Sequence, residues 1–243
     1  MNTGNSISTS ISISLRNAAL TAGIGYLVIF ITGIFANFFI LEGLVINGNA
    51  AATFENISSN EFQFRVGIFA FIIMVISDVV LAWALYVLLI PVNRALSLLS
   101  GWLRLINASI FSIALFNLVS ILPLVNNTGT TYLPDTGWLQ IQVMLYIGAF
   151  NYTWLIGLVF FGIHLPLLGY LVIKSGYIPK ILGILLFIAG IGYLTDSFAQ
   201  FLLEDYARYA NIFSMVVIIP GVIGELSFTL WLLIRGRKIP LLK

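Results

Sequence analysis

The chain has 243 residues, of which 60% are hydrophobic and 8% charged, with eleven Lys and Arg against nine Asp and Glu for a formal net charge of +2. Too few polar side chains exist to cover a water-facing globule of this length, so most of the surface must face lipid. There is no cysteine, which excludes a disulfide framework, an iron-sulfur cluster and thiolate zinc sites, and so small a net charge leaves no nucleic-acid footprint.

The first fifteen residues, MNTGNSISTSISISL, carry no positive n-region and no small-residue cleavage site, and read as a polar N-terminal tail rather than a signal peptide. Residues 16–243 then read as one transmembrane domain. A spanning helix takes roughly 20 apolar residues, and six stretches qualify: about 17–43, 65–91, 93–124, 150–174, 180–203 and 209–235. The expected fold class is an all-α membrane protein, a bundle of six transmembrane helices. The apolar segment 138–149, WLQIQVMLYIGA, is either an interfacial helix or an extension of the fourth span.

Loop charges orient the bundle. Arg16, Arg94, Lys174, Lys180, Arg235, Arg237, Lys238 and Lys243 fall in one set of connections, while the other set carries Glu42, Glu55, Glu61, Asp135, Glu204 and Asp205 against only Arg65 and Arg208. The positive-inside rule therefore expects a multi-pass protein of the cell (cytoplasmic) membrane with both termini cytoplasmic. Trp138 and Trp154 then fall near outer ends, and Trp83, Trp102 and Trp231 toward inner ends, as interfacial rings should. In the inner turn between spans four and five, Gly176 suits a helix C-terminus and Pro179 the first turn of the next helix.

Five ionisable residues sit inside apolar stretches: Asp78, Arg104, His164, Asp196 and Glu225. Charge in hydrocarbon is costly and asks for a partner or a role. At about 1.5 Å rise per residue, Asp78, His164 and Glu225 lie roughly 20 to 24 Å below the outer helix ends, and Arg104 roughly 16 Å up its own helix, so the four share a central layer. Arg104 cannot lose its proton, so it should pair with Asp78 or Glu225, its planar fork favouring a bidentate contact; the other carboxylate then faces His164, water or a ligand. Asp196 lies near an outer end, within reach of Arg65 or Arg208, and reads as a structural charge together with Arg65.

Pro166 and Pro220 free the carbonyls of Gly162 and Val216 beside His164 and Glu225, either as simple kinks or as helix breaks of the kind that line transporter sites. Gly183, Gly190 and Ser197 recur every seven residues as a packing seam. The hexapeptide AGIGYL occurs at 22–27 and again at 189–194. Both copies ascend, so the match does not fit a three-plus-three inverted repeat, and it reads as chance in a Gly-rich composition.

One histidine without cysteine disfavours a catalytic zinc centre and rules out bis-histidine haem within the chain, so no metal and no cofactor is expected. No GxSxG elbow, HExxH helix, phosphate loop or EF-hand is present. Catalytic residues are therefore unassigned.

Several sequence pieces occur together in order: Phe64-Arg65-Val66-Gly67 with Asp78 downstream, LYVLLIPVN from Leu85 to Asn93 followed by Arg104, and Phe160-Phe161-Gly162-Ile163-His164. They continue through Gly169-Tyr170-Leu171, the run from Ser175 to Gly183, the run from Gly192 to Ser197, and Gly224-Glu225-Leu226. As a set they resemble a bacterial membrane family known as domain of unknown function 4386, over nearly the whole chain after Leu15. The resemblance implies a polytopic bacterial membrane protein and brings no activity with it. The serine-rich tail and the loop from Asn126 to Gly137 lie outside it.

Three roles follow for the cluster of Asp78, Arg104, His164 and Glu225. It binds or translocates a small solute, ion or lipid headgroup; or it serves an intramembrane enzyme, with His164 as general base oriented by a carboxylate; or it only holds together an accessory subunit. The expected partners are the lipid bilayer and a small-molecule or lipid ligand, with no nucleic acid.

Overall fold

The computed structural model describes residues 4–126 and 135–239, with side chains from Leu15 onward. Most of the loop singled out above, at 127–134, and the basic residue Lys243 lie outside the described residues. Helix α1 (Gly4–Ile34) runs into a π-helical stretch (Phe35–Leu41), where Phe35 stacks on Phe39, and ends with one turn at Glu42–Leu44.

Helix α2 (Ala50–Ser59) lies in what the sequence marked only as a connection. Its ten residues are too short to register as a span, but its capping is local and complete. The Asn49 carboxamide accepts from the Ala52 N–H at 3.0 Å, as an N-cap does. The Thr53 hydroxyl accepts from the Ile46 N–H and donates to the Ile46 carbonyl, and Asn56 donates to the Leu44 carbonyl.

Helices α3 (Glu61–Leu89) and α4 (Arg94–Val119) follow, with the Asn93 side chain capping α4 through the Leu96 N–H, and then the short α5 (Leu122–Asn126). Helix α6 is one uninterrupted helix of 40 residues, Thr136–Ser175. At 1.5 Å per residue it is about 60 Å long, twice the hydrocarbon thickness. The segment 138–149 is therefore an extension of the fourth span and not a separate interfacial helix. Helix α7 (Lys180–Leu202) and helix α8 (Tyr206–Arg235) complete the set, α8 ending in a 3₁₀ turn at Gly236–Lys238.

Six of these helical segments are long and apolar enough to cross a membrane, and no strand occurs among the described residues. The chain is an all-α polytopic membrane protein.

The chain divides into two compact units. The first comprises Met1–Leu27, Ser77–Asn107 and Ile156–Lys243. Within it α6 and α7 meet backbone to backbone: a Cβ on Gly169 would lie 2.5 Å from the Gly183 carbonyl, and one on Gly183 would lie 2.5 Å from the Gly169 carbonyl. Only glycine on both sides permits that approach. The turn that brings these helices together places Gly176 at φ +73°, in the left-handed region, and is fixed by the Tyr177 hydroxyl donating to the Leu88 carbonyl. Burial pushes the Tyr177 phenol well above its ordinary range.

The second unit comprises Val28–Ile76 and Ala108–Leu155. Its interior holds an aromatic group in which Trp154 stacks on Phe111 at 3.7 Å between ring centres and meets Phe71 and Phe150 at 5.3 and 5.4 Å. Trp154 lies 21 residues, roughly 31 Å, before α6 ends at Ser175, about one hydrocarbon thickness from that end, while Trp83, Trp102 and Trp138 are exposed as interfacial rings require.

Candidate functional site

The first unit gathers ionisable side chains from α3, α4, α6 and α8 at one level. Asp78 lies eleven residues before α3 ends at Leu89, His164 eleven before α6 ends at Ser175, and Glu225 ten before α8 ends at Arg235; Arg104 lies ten after α4 begins at Arg94. Each is roughly 15 Å from that helix end. All four are buried, with exposures of 4% for Asp78, 2% for Arg104, 1% for His164 and 7% for Glu225.

Arg104 is the hub, and Asp78 is its counterion. The Asp78 Oδ1 lies 2.6 Å from Arg104 Nη2, while Oδ2 accepts from the Asn107 carboxamide at 3.0 Å. The carboxylate is thus divided between two donors and is not gripped by both arms of the guanidinium, contrary to the bidentate expectation. Asn107 explains the difference. One helical turn beyond Arg104 on α4, it claims the second oxygen.

The other arm of the guanidinium reaches His164. Arg104 Nη1 lies 3.3 Å from His164 Nε2 and 3.5 Å from the Tyr26 hydroxyl. A guanidinium only donates, so Nε2 accepts, and the ring proton resides on Nδ1. Nδ1 in turn donates to the Ser100 carbonyl at 2.9 Å, with the Ser100 hydroxyl at 3.1 Å. Ser100, Arg104 and Asn107 share one face of α4 at helical spacing, so this single helix holds the carboxylate, the imidazole and the cation together. The faces of Tyr26 and Phe161 cover the guanidinium, 5.0 and 5.4 Å from its carbon. Desolvated cation–π contacts of this kind are worth up to about 2 kcal/mol each.

Glu225 lies within the electrostatic reach of Arg104 but makes no direct bond to it. Its Oε1 accepts from the Tyr193 hydroxyl at 3.3 Å, and it makes no ion pair among the described residues. Tyr193 packs edge-on to Phe161, which also faces His164. The Glu225 backbone carbonyl accepts from Thr229 one turn on.

Asp196 does not join the cluster. It accepts from the Gln200 carboxamide at 2.8 Å and the Tyr206 hydroxyl at 2.7 Å, so neutral donors take the place of the arginine expected for it. In the second unit Arg65 pairs with Glu61 one turn earlier on α3, and Glu61 also accepts from Asn126. A four-residue helical spacing keeps that pair local.

Two tyrosines of the cluster escaped the reading of the sequence, yet a signal existed. Tyr26 and Tyr193 occupy the same position in the two AGIGYL copies, and each aims its hydroxyl at a buried charged side chain. The glycines before them let neighbouring helices close in. A Cβ on Gly23 would lie 2.9 Å from Leu233, and one on Gly192 would lie 2.6 Å from the Val216 carbonyl. The repeat therefore marks two places where a helix is pressed against its neighbour with a tyrosine pointing at charge.

The prolines leave α6 and α8 continuous. The carbonyl of Gly162, freed by Pro166, sits against Gly190, where an added Cβ would come within 2.9 Å of it; the carbonyl of Val216, freed by Pro220, faces Gly192. Both freed acceptors are thus approached by glycine backbone of α7. Short Cα–H contacts suit such acceptors. No group of three or more His, Asp or Glu side chains able to hold a metal ion occurs among the described residues.

The family described as Domain of unknown function (DUF4386) matches residues 21–236, a stretch that includes every residue of the cluster from Tyr26 to Glu225. A protein of Archaeoglobus fulgidus described as "Uncharacterized protein" is 37% identical over 174 residues, covering 72% of this chain and 84% of its own length. No solved structure matches. With the family match spanning most of its length, this six-span membrane protein belongs to the DUF4386 family.

Proposed function

We propose that the chain binds or translocates a small solute, ion or lipid headgroup in the cell membrane, and that Glu225 with Tyr193 is the part of the cluster that meets the ligand. One observation carries this reading: Asp78, Arg104 and His164 are engaged by one another and by Ser100, Asn107 and Tyr26, whereas Glu225 is held by a single 3.3 Å hydrogen bond and makes no ion pair among the described residues. A buried carboxyl so placed can exchange its charge with a proton or a cationic group, which a permanently paired carboxylate cannot do. The bilayer is the expected partner, and the loop charges support both termini in the cytoplasm.

The enzyme reading loses support from the same geometry. A general base needs a free basic nitrogen, and the His164 Nε2 is engaged by a cation, while its Nδ1 is oriented by a backbone carbonyl instead of a carboxylate. The mutual pairing of Asp78, Arg104 and His164 favours a structural role for those three residues, with Arg104 Nε left without a hydrogen-bond partner. An accessory subunit would have such a trio without a reactive Glu225.

The lack of native cysteine allows a direct test. Single Cys substitutions at Glu225, Tyr193, His164 and Asp78 are exposed to small water-soluble thiol reagents from each side of sealed vesicles. The proposal expects labelling of Glu225→Cys and Tyr193→Cys, slowed by the ligand once one is identified, and protection at the other two. Protection at all four positions would overturn it.

A further inference from the structure

A concavity away from the central cluster, and independent of the Glu225 reading, lies where α8 ends. It has a volume of about 480 Å³ and is lined by Gly176, Tyr177, Ile178 and Pro179 of the α6–α7 turn, by Trp231, Arg235 and Lys238, and by Ile239. Its basic residues have no ion-pair partners among the described residues.

The rim is held in place. Arg235 caps the 3₁₀ turn and Lys238 closes it three residues on, and side chains at that spacing eclipse one another in a 3₁₀ turn, which brings both cations to one side. Trp231, four residues before Arg235, falls on the same face of α8. The turn is fixed to α1 at two points. Arg16 Nε donates to the Ile239 carbonyl at 3.1 Å, and Gly236 is buried so closely on Ala19 that a Cβ there would lie 2.8 Å from the Ala19 Cβ. The opposite wall is equally fixed, because the Tyr177 hydroxyl is tied to the Leu88 carbonyl and the Ile178 N–H to the Ser175 hydroxyl.

We propose that this cavity binds the phosphodiester headgroup of an anionic membrane lipid, with Arg235 and Lys238 on the phosphate and the rings of Trp231 and Tyr177 beside the glycerol region. Position and charge together select this occupant. The sixth apolar span runs to Lys238, so the cavity opens at the end of a span, where headgroups lie; a pair of cations carried on an anchored turn beside amphipathic rings matches a headgroup that is anionic on one side and joined to acyl chains on the other. Topology alone requires basic residues at this end, but not two of them on one side of a cavity whose walls are both tied down.

The test uses the full-length chain in neutral detergent, with retention of phosphatidylglycerol, phosphatidylcholine and inorganic phosphate measured by native mass spectrometry. The proposal expects a preference for phosphatidylglycerol over phosphatidylcholine and a loss of about 30-fold in R235Q/K238Q, as two charge contacts near a membrane surface imply. It also expects no change in R94Q, an exposed basic residue outside the cavity, and no displacement by millimolar inorganic phosphate. Equal retention by R235Q/K238Q and the native chain would overturn the proposal, as would an equal loss in R94Q, which would mean diffuse surface charge. Displacement by inorganic phosphate alone would replace the lipid with a free anion and overturn it as well.

Discussion

Replacing Asp78 by Asn removes the only ion-pair partner, among the described residues, of a guanidinium that is 2% exposed. The shape of the side chain is kept, so the loss is electrostatic. Breaking a buried ion pair by removing one partner costs about 3–5 kcal/mol, because the remaining charge stays buried without compensation. In this structure Arg104 would retain His164 Nε2 at 3.3 Å, the Tyr26 hydroxyl at 3.5 Å and two ring faces at 5.0 and 5.4 Å. Those contacts disperse part of the charge, which places D78N at the lower end, about 3 kcal/mol.

Removing both charges should be far milder. A pair of apolar residues of similar volume is often neutral or better than a buried ion pair, although D78L/R104M would also deprive His164 and Tyr26 of their donor. We expect the double variant to lose about 1 kcal/mol and the cycle of single and double variants to show a coupling of about 3 kcal/mol or more. The assay is reversible unfolding in mixed micelles, read by far-UV circular dichroism or by steric trapping. The reasoning is refuted if D78N unfolds within about 0.5 kcal/mol of the native chain, the usual range of an uninvolved surface change. A double variant that loses the full sum of its two singles would refute it equally.

Three further outcomes follow from the packing and the loop charges. Gly190→Ala would place a Cβ 2.3 Å from Pro166 Cδ, so it should destabilise by about 1–3 kcal/mol in the same unfolding assay; Gly148→Ala, with nothing within 4 Å, should be neutral or slightly favourable. Trp154→Ala removes the ring stacked on Phe111 and should cost about 3–5 kcal/mol, whereas Trp102→Ala, exposed at 56%, should change unfolding by less than about 0.5 kcal/mol. Alkaline phosphatase fused after Leu203 should be active in intact cells and inactive when fused after Lys243; the reverse pattern would invert the orientation drawn from the loop charges.

The six spans were legible because each is a run of apolar residues far longer than any polar interruption, and a spanning helix has no competing explanation at that length. Helix α2 was not, since its ten residues, AAATFENISS, hold only two large apolar side chains, and its ends and polar face are held by Asn49, Thr53 and Asn56 bonding to nearby backbone. The packing of Trp154 on Phe71, Phe111 and Phe150 was not legible either, because ring contacts depend on which helices are neighbours. The four central ionisable residues were legible as costly residues at similar depth, but their pairing depends on which helices are neighbours and how each is rotated, which periodicity does not encode. Tyr26 and Tyr193 were hidden because an aromatic residue in an apolar run looks like core, and only the polar tip reveals otherwise.

The pairing that emerges constrains what the cluster can do. Arg104 keeps its charge under all conditions and Asp78 lies against it, so that pair is a fixed dipole within the first unit. His164 accepts from Arg104, and protonating Nε2 would set two cations against each other at 3.3 Å. Neither partner of Arg104 can change its charge without breaking the contacts that hold α3, α4 and α6 in register. Glu225 has no such obligation. Ionised, it leaves the cluster with one negative charge in excess; protonated, it leaves none, and Tyr193 can serve either form, donating to the carboxylate or accepting from the acid. Any charge that enters or leaves this part of the protein should therefore be registered at Glu225, and a Glu225→Gln variant should remove that response while the ion pair of Asp78 and Arg104 keeps the fold intact.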